Sequence, residues 1–125
     1  MPITVSLDEL EAMRPCSSRL AANRPCFSRR KRVSSEQAKK AGATLDDIVW
    51  VASAMSRHNP DVERRLRLWM ADCAARVLHL FEREMPDDGR VWEAIGAARS
   101  FARGEISDAA RGAAFVAAGA AARAA

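Results

Sequence analysis

Eleven of the eighteen residues from Asp108 to Ala125 are alanine, and only Phe115 and Val116 among them are large and apolar. Alanine has the highest helix propensity of any residue, yet its side chain fills almost no volume. The segment 108–125, with Ser107 as its N-cap, is therefore predicted to be a helix that forms readily and contributes little bulk to a core. What it offers is a close approach, either to a neighbouring helix lying in a groove or to a second copy of the chain. A chain carrying such a segment must find its larger core residues elsewhere.

A helical period supplies them. From about Asp61 to Met85, Val62, Leu66, Trp69, Met70, Cys73, Val77, Leu80 and Phe81 recur at spacings of three and four, the pattern of one apolar helix face. Pro86 closes this helix, and Asp87 or Asp88 is placed to cap the next, about 89–103, which Gly104 ends. Upstream, Thr44 and Asp47 form a capping-box pair that starts a helix over Leu45–Ser56, and Ser6 with Glu9 forms another that starts a helix running to about Met13. Ser34 or Ser35 opens a short helix over 36–41, with Gly42 just beyond its end. Pro15 and Pro25 punctuate an irregular or briefly helical segment. No period-2 run of β-branched residues stands out, so no strand is expected.

The expected fold is all-α: a single compact domain of about five to six helices, arranged as stacked helical hairpins, with the Ala-rich helix last. Residues 1–43 form a basic, irregular or short-helical part and residues 44–125 the helical core. The core residues expected are Trp50, Leu66, Trp69, Cys73, Val77, Phe81 and Ile95, and Trp69→Ala should then cost about 3–5 kcal/mol. The caps expected are Ser6, Thr44, Asp87, Asp88, Gly104 and Ser107.

The net charge of +4 lies wholly in the first half. Seven Lys/Arg and no acid fall within 14–32, while residues 61–125 carry ten of each sign. Such a basic stretch suits an acidic partner or phosphates, but only Phe27 interleaves the later part of it, and the aromatic platform of a single-strand binder is missing. Residues 1–30 lack an apolar stretch behind a basic start, and the longest apolar run, 112–122, is far shorter than the roughly 20 residues a membrane span needs. A cytoplasmic location is expected. The three cysteines, an odd number, do not read as a disulfide framework.

Catalytic and metal patterns are sparse. Cys16, Cys26, Cys73, His58 and His79 are the soft ligands available, and they form neither Cys-x-x-Cys nor His-x-x-x-His. Cys73 on the apolar helix face is expected to be buried, whereas the positive surroundings of Cys16 and Cys26 would favour thiolate. No phosphate loop or nucleophile motif is present, so neither enzyme activity nor a cofactor or metal is expected. Along the long helix, Asp72, Arg76, His79 and Arg83 share a polar stripe, opposite much of the apolar one. Arg76, His79 and Arg83, together with Arg29, Arg30, Lys31 and Arg32, are the candidate partner-binding residues.

Residues 66–125 also resemble the immunity protein family of bacterial polymorphic toxin systems. The resemblance runs through Leu66-Arg67-Leu68-Trp69, Asp72-Cys73-Ala74-Ala75-Arg76-Val77-Leu78, Phe81-Glu82, Pro86-Asp87-Asp88-Gly89-Arg90, Glu93-Ala94-Ile95, Ala97-Ala98-Arg99 and Ala102-Arg103-Gly104-Glu105-Ile106, and more loosely through 43–56. It implies an all-α fold and a non-enzymatic protein that binds and neutralises a toxin. Two alternatives stand beside it: a phage-borne inhibitor of a host defence complex, and a nucleic-acid-binding module built on the basic N-terminal stretch.

Overall fold

The computed structural model describes residues 2–124. It contains seven α-helices and one small sheet among those residues: β1 (Thr4–Ser6), α1 (Leu7–Ala12), α2 (Ser17–Asn23), a 3₁₀ turn (Arg24–Phe27), β2 (Arg32–Ser34), α3 (Ser35–Lys40), α4 (Leu45–Ser56), α5 (Pro60–Glu84), α6 (Arg90–Ala102) and α7 (Asp108–Ala124). The helical expectation holds, and the chain forms two compact units, Met1–Val62 and Glu63–Ala125.

In the first unit, β1 and β2 pair antiparallel, with Val5 opposite Val33 and Ser6 opposite Arg32. This corrects the expectation of no strands. Three residues are too few to show an alternating pattern, and the pairing joins segments far apart in the chain. The strands end where helices begin. Ser6 is the last residue of β1 and the N-cap of α1, in a reciprocal box with Glu9, while Ser34 ends β2 and caps α3 in the same way with Gln37. An N-cap residue already has extended φ/ψ, so strand and cap share one backbone conformation. Leu10 and Val33, 4% and 3% exposed, are among the buried apolar residues here.

Helix α4 begins at the expected capping box, Thr44 with Asp47. Arg19 of α2 reaches its first turn. Its guanidinium donates to the Asp46 carboxylate at 3.0 Å and to the Asp46 carbonyl at 3.3 Å, lies 3.6 Å from Asp47 Oδ1, and sits 5.1 Å from the Trp50 ring centroid. Trp50, expected in the core, is half-buried in this contact. Buried Asn23 donates to the Arg19 carbonyl, fixing the residue from which the clamp extends. Asn59 caps α5, its Oδ1 accepting from the amides of Asp61 and Val62, and Pro60 occupies the first helical turn.

Two helices end in glycine at positive φ, Gly42 at +104° and Gly104 at +76°. In both, the following amide bonds back five residues, Ala43 to Ala38 and Glu105 to Ser100, which is the Schellman closure. Arg14 takes the same left-handed region after α1, at φ +58°, at a cost of about 1–2 kcal/mol that glycine would not incur.

In the second unit, α6 and α7 form a close hairpin. Ala121 is fully buried, and Ile95 and Ala102 are nearly so. The close approach is made by alanine, because a Cβ placed at Gly96 or Gly112 would meet nothing within 4 Å. Phe101 of α6 lies 5.0 Å from the guanidinium of Arg67 on α5 and 5.0 Å from that of Arg111 on α7. Both cations are themselves held, Arg67 by Glu63 and Arg111 by Asp108.

The core expected on α5 is only partly correct. Ile95 on α6 is buried, and Leu66, Cys73 and Phe81 are half-buried, but Trp69 and Val77 are 40% and 55% exposed. Helix α5 carries a second apolar row, Leu68, Ala71, Ala75 and Leu78, at spacings of three and four. This row is the covered one, with Ala71 at 5%. The contacts of Arg67 with Phe101 and of Asp72 with Arg99 bracket it and tie it to α6. Ala71 and Ala75 at its centre allow that approach, so the row with Trp69 points elsewhere.

The α5–α6 turn also revises a cap. Gly89 precedes α6, while Asp88 accepts from the Arg90 amide and forms a bidentate pair with the Arg90 guanidinium, at distances down to 2.6 Å. Asp87, the other candidate, is exposed, because Asp88 holds the place from which a carboxylate reaches the Arg90 amide. Ser107 caps α7 through the Ala110 amide as expected.

Three stability outcomes follow. Ala121→Leu should lower unfolding free energy by about 2–3 kcal/mol through overpacking, while Ala113→Leu, on an exposed position, should change it by less than about 0.5 kcal/mol, both measured by urea denaturation. Ile95→Ala should cost about 2–4 kcal/mol, and Trp69→Ala, on the exposed row, only about 1–2 kcal/mol. The bidentate Arg90 contact lowers the Asp88 carboxyl to about 2, against about 3.9 when unfolded. A lowered folded value stabilises fully above the unfolded value and is lost as pH falls through the folded one. The stability gap between wild type and Asp88→Asn should therefore hold at pH 5 and close between about pH 4 and pH 2.

Candidate functional site

Three of the seven basic residues of the stretch 14–32 are held by acids inside the first unit. Arg19 clamps the start of α4, and Arg24 pairs with Glu11 at 3.3 Å. Arg32, expected to face a partner, instead crosses the sheet. Its guanidinium donates to Thr4 Oγ1, the Thr4 carbonyl and both Glu9 carboxylate oxygens, all at 2.8–3.0 Å. The ion pair holds the Glu9 carboxyl below its usual range, and Asp47 is lowered by its capping-box hydrogen bonds and by Arg19, against the opposing effect of burial. Arg32 is thus a structural residue, placed opposite Ser6 by the sheet register. Of the other four, Arg14 follows α1, and Arg29, Arg30 and Lys31 lie on the turn between the 3₁₀ segment and β2. These three turn residues are exposed, with no ion pair among the described residues.

Helix α5 carries the other candidate surface. Asp72, Arg76, His79 and Arg83 are all exposed. The stripe is not a self-paired row, because Asp72 turns to Arg99 of α6 at 2.8 Å rather than to Arg76 one turn on. His79 Nδ1 lies 3.1 Å from the Arg76 carbonyl. Arg76 and Arg83 make no ion pair among the described residues. At about 100° per residue, both lie within roughly 40° of Trp69, so the cationic stripe borders the apolar row rather than opposing it. Sequence reasoning missed that Trp69, Met70, Val77 and Leu80 belong to this surface, being 40%, 57%, 55% and 52% exposed. Their large side chains point to a core, and only the competing row built around Ala71 and Ala75 points otherwise. Elsewhere, Leu45, Trp92, Phe115 and Val116 are also exposed.

The remaining titratable groups do not converge. The cysteines are free: Cys16 exposed, Cys26 buried and Cys73 half-buried. A hydrogen bond with Ser18 lowers the Cys16 thiol, followed by the backbone and Arg19. Burial raises Cys26, against the expectation that its basic surroundings would favour thiolate. Among the described residues, no group of three His, Cys, Asp or Glu side chains could hold a metal ion. A shallow depression at the α5–α6 turn is lined by Glu84, Asp87, Asp88 and Arg90, and its best-placed carboxylate, Asp88, is occupied by Arg90.

No curated protein and no solved structure matches the chain. A family model does match, described as "Imm-5 like putative immunity protein", over residues 57–125. The match takes in the whole second unit, including α5 with both its apolar rows, the Phe101 contact and the Ala-rich hairpin. It spans 69 of the 125 residues, and the chain belongs to the family of Imm-5 like immunity proteins.

Proposed function

We propose that this chain is a non-enzymatic binding protein that neutralises a toxin by covering part of its surface. Family membership over residues 57–125 carries the reading. Neutralisation by occlusion requires no nucleophile, base or metal of the inhibitor. It requires a stable scaffold that presents buried-on-binding anchors within a polar rim. The second unit offers such a scaffold, with large apolar side chains exposed on α5 beside Arg76, His79 and Arg83. Arg29, Arg30 and Lys31 offer a second cationic contact on the first unit.

The charge narrows the class of target. A net +4 chain is steered towards acidic surfaces and away from basic ones. The target region is therefore acidic, rather than the basic phosphate-binding cleft of a nuclease. The place of action is the cytoplasm, in keeping with three free thiols.

Co-expression tests the reading. Cells producing the toxin domain encoded beside this gene should regain growth when the chain is supplied, and the two proteins should co-elute as one complex that survives nuclease treatment. Absence of rescue overturns the reading. A complex that dissolves on nuclease treatment overturns it in favour of a nucleic-acid module using Arg29, Arg30 and Lys31.

A further inference from the structure

The exposed apolar row on α5 has a composition that selects its occupant. Trp69, Met70, Val77 and Leu80 fall within twelve residues, an axial rise of about 16 Å, and each is at least 40% exposed. The second unit does not use this row to hold α6; the Leu68, Ala71, Ala75, Leu78 row does that, with Arg67–Phe101 and Arg99–Asp72 at its borders. The two edges of the exposed row differ. One carries Arg76 and Arg83, without ion pairs among the described residues, and the nearby acid, Asp72, is held by Arg99. The other carries half-buried Phe81 and, towards the start of the helix, Glu63, which is held by Arg67.

That asymmetry disfavours a second copy. Parallel pairing of two α5 faces would set the Arg76 edge of one copy against the Phe81 edge of the other, which offers no acid opposite Arg76 or Arg83. Antiparallel pairing, with Trp69 against Leu80, would set the two Arg76 edges together. The first arrangement leaves both cations unsatisfied and the second places like charges beside an apolar seam. A partner with carboxylates along one border of an apolar row satisfies the face instead.

We propose that the Trp69–Met70–Val77–Leu80 face of α5 docks an amphipathic helical segment of the toxin, with acidic residues on the side that meets Arg76 and Arg83. This deepens the immunity reading and rests on it. The helix-in-groove mode supplies affinity through the apolar row and specificity through its charged border.

The probes are three helical peptides of about three heptads with Leu at a and d, carrying Glu, Gln or Lys at e and g. Binding to the full chain is measured by calorimetry at low salt. The Glu peptide should bind at least about tenfold more tightly than the Lys peptide, with Gln between them. Arg76→Glu/Arg83→Glu should reverse that order, and Leu80→Asp should weaken all three, each variant keeping the wild-type circular dichroism spectrum. Equal binding of the three peptides, or none, overturns the proposal. A dimer in sedimentation that Leu80→Asp dissociates overturns it in favour of a second copy.

The co-expression assay separates this surface from the broader reading. A folded Arg76→Glu/Leu80→Asp variant that loses rescue supports the proposal. One that rescues as well as wild type overturns the surface and leaves the immunity role standing. If wild type itself fails to rescue, the immunity role falls, and the toxin-docking proposal that rests on it falls too, whatever order the peptides show.

Discussion

Two guanidiniums on one ring hold three helices of the second unit in place. Arg67 and Arg111 each lie 5.0 Å from the Phe101 centroid and come from α5 and α7, on either side of α6 in the chain. Each such contact contributes about 0.5–1 kcal/mol when exposed and more when desolvated. Their weight here comes from what surrounds them. The Ala-rich hairpin buries little volume, and no large side chain is fully buried among the described residues. A unit built on small residues gains its specificity from contacts that only one arrangement allows. Glu63 and Asp108 fix the two cations before they reach the ring, so less side-chain entropy is lost on contact.

The first unit uses the same device with another ring. Arg19 stacks by Trp50 while bonding the first turn of α4. Arginine thus serves as core material in both halves. The long aliphatic stem packs while the head finds an acceptor. This is why the basic stretch loses much of its outward charge. Arg19, Arg24 and Arg32 are drawn in by Asp46, Glu11 and Glu9, which leaves Arg14, Arg29, Arg30 and Lys31 to give the surface its sign.

Several local signals in the sequence were legible to the residue. The capping boxes at Ser6 and Thr44 and the glycines at 42 and 104 mark their helix ends correctly, because each acts through its own few neighbours. Signals that depend on a distant partner were not. Nothing near Arg32 announces Glu9, which is 23 residues away. The period of α5 shows that apolar faces exist but not which one meets α6, and size pointed to the Trp69 row whereas close approach favoured the Ala71 row. The candidate site was legible in the same uneven way. Arg76, His79 and Arg83 were visible as a stripe, but the apolar residues beside them read as core.

The shared role of Ser6 and Ser34 has a consequence for how the first unit opens. Each serine closes a strand and starts a helix with the same backbone conformation. A one-residue slip of β1 against β2 would move Arg32 off Glu9 and Thr4, and would displace both caps from the ladder at once. Three residues per strand, too few to persist alone, are thereby tied to the helices whose first turns they cap, and opening the sheet loosens both helix starts together.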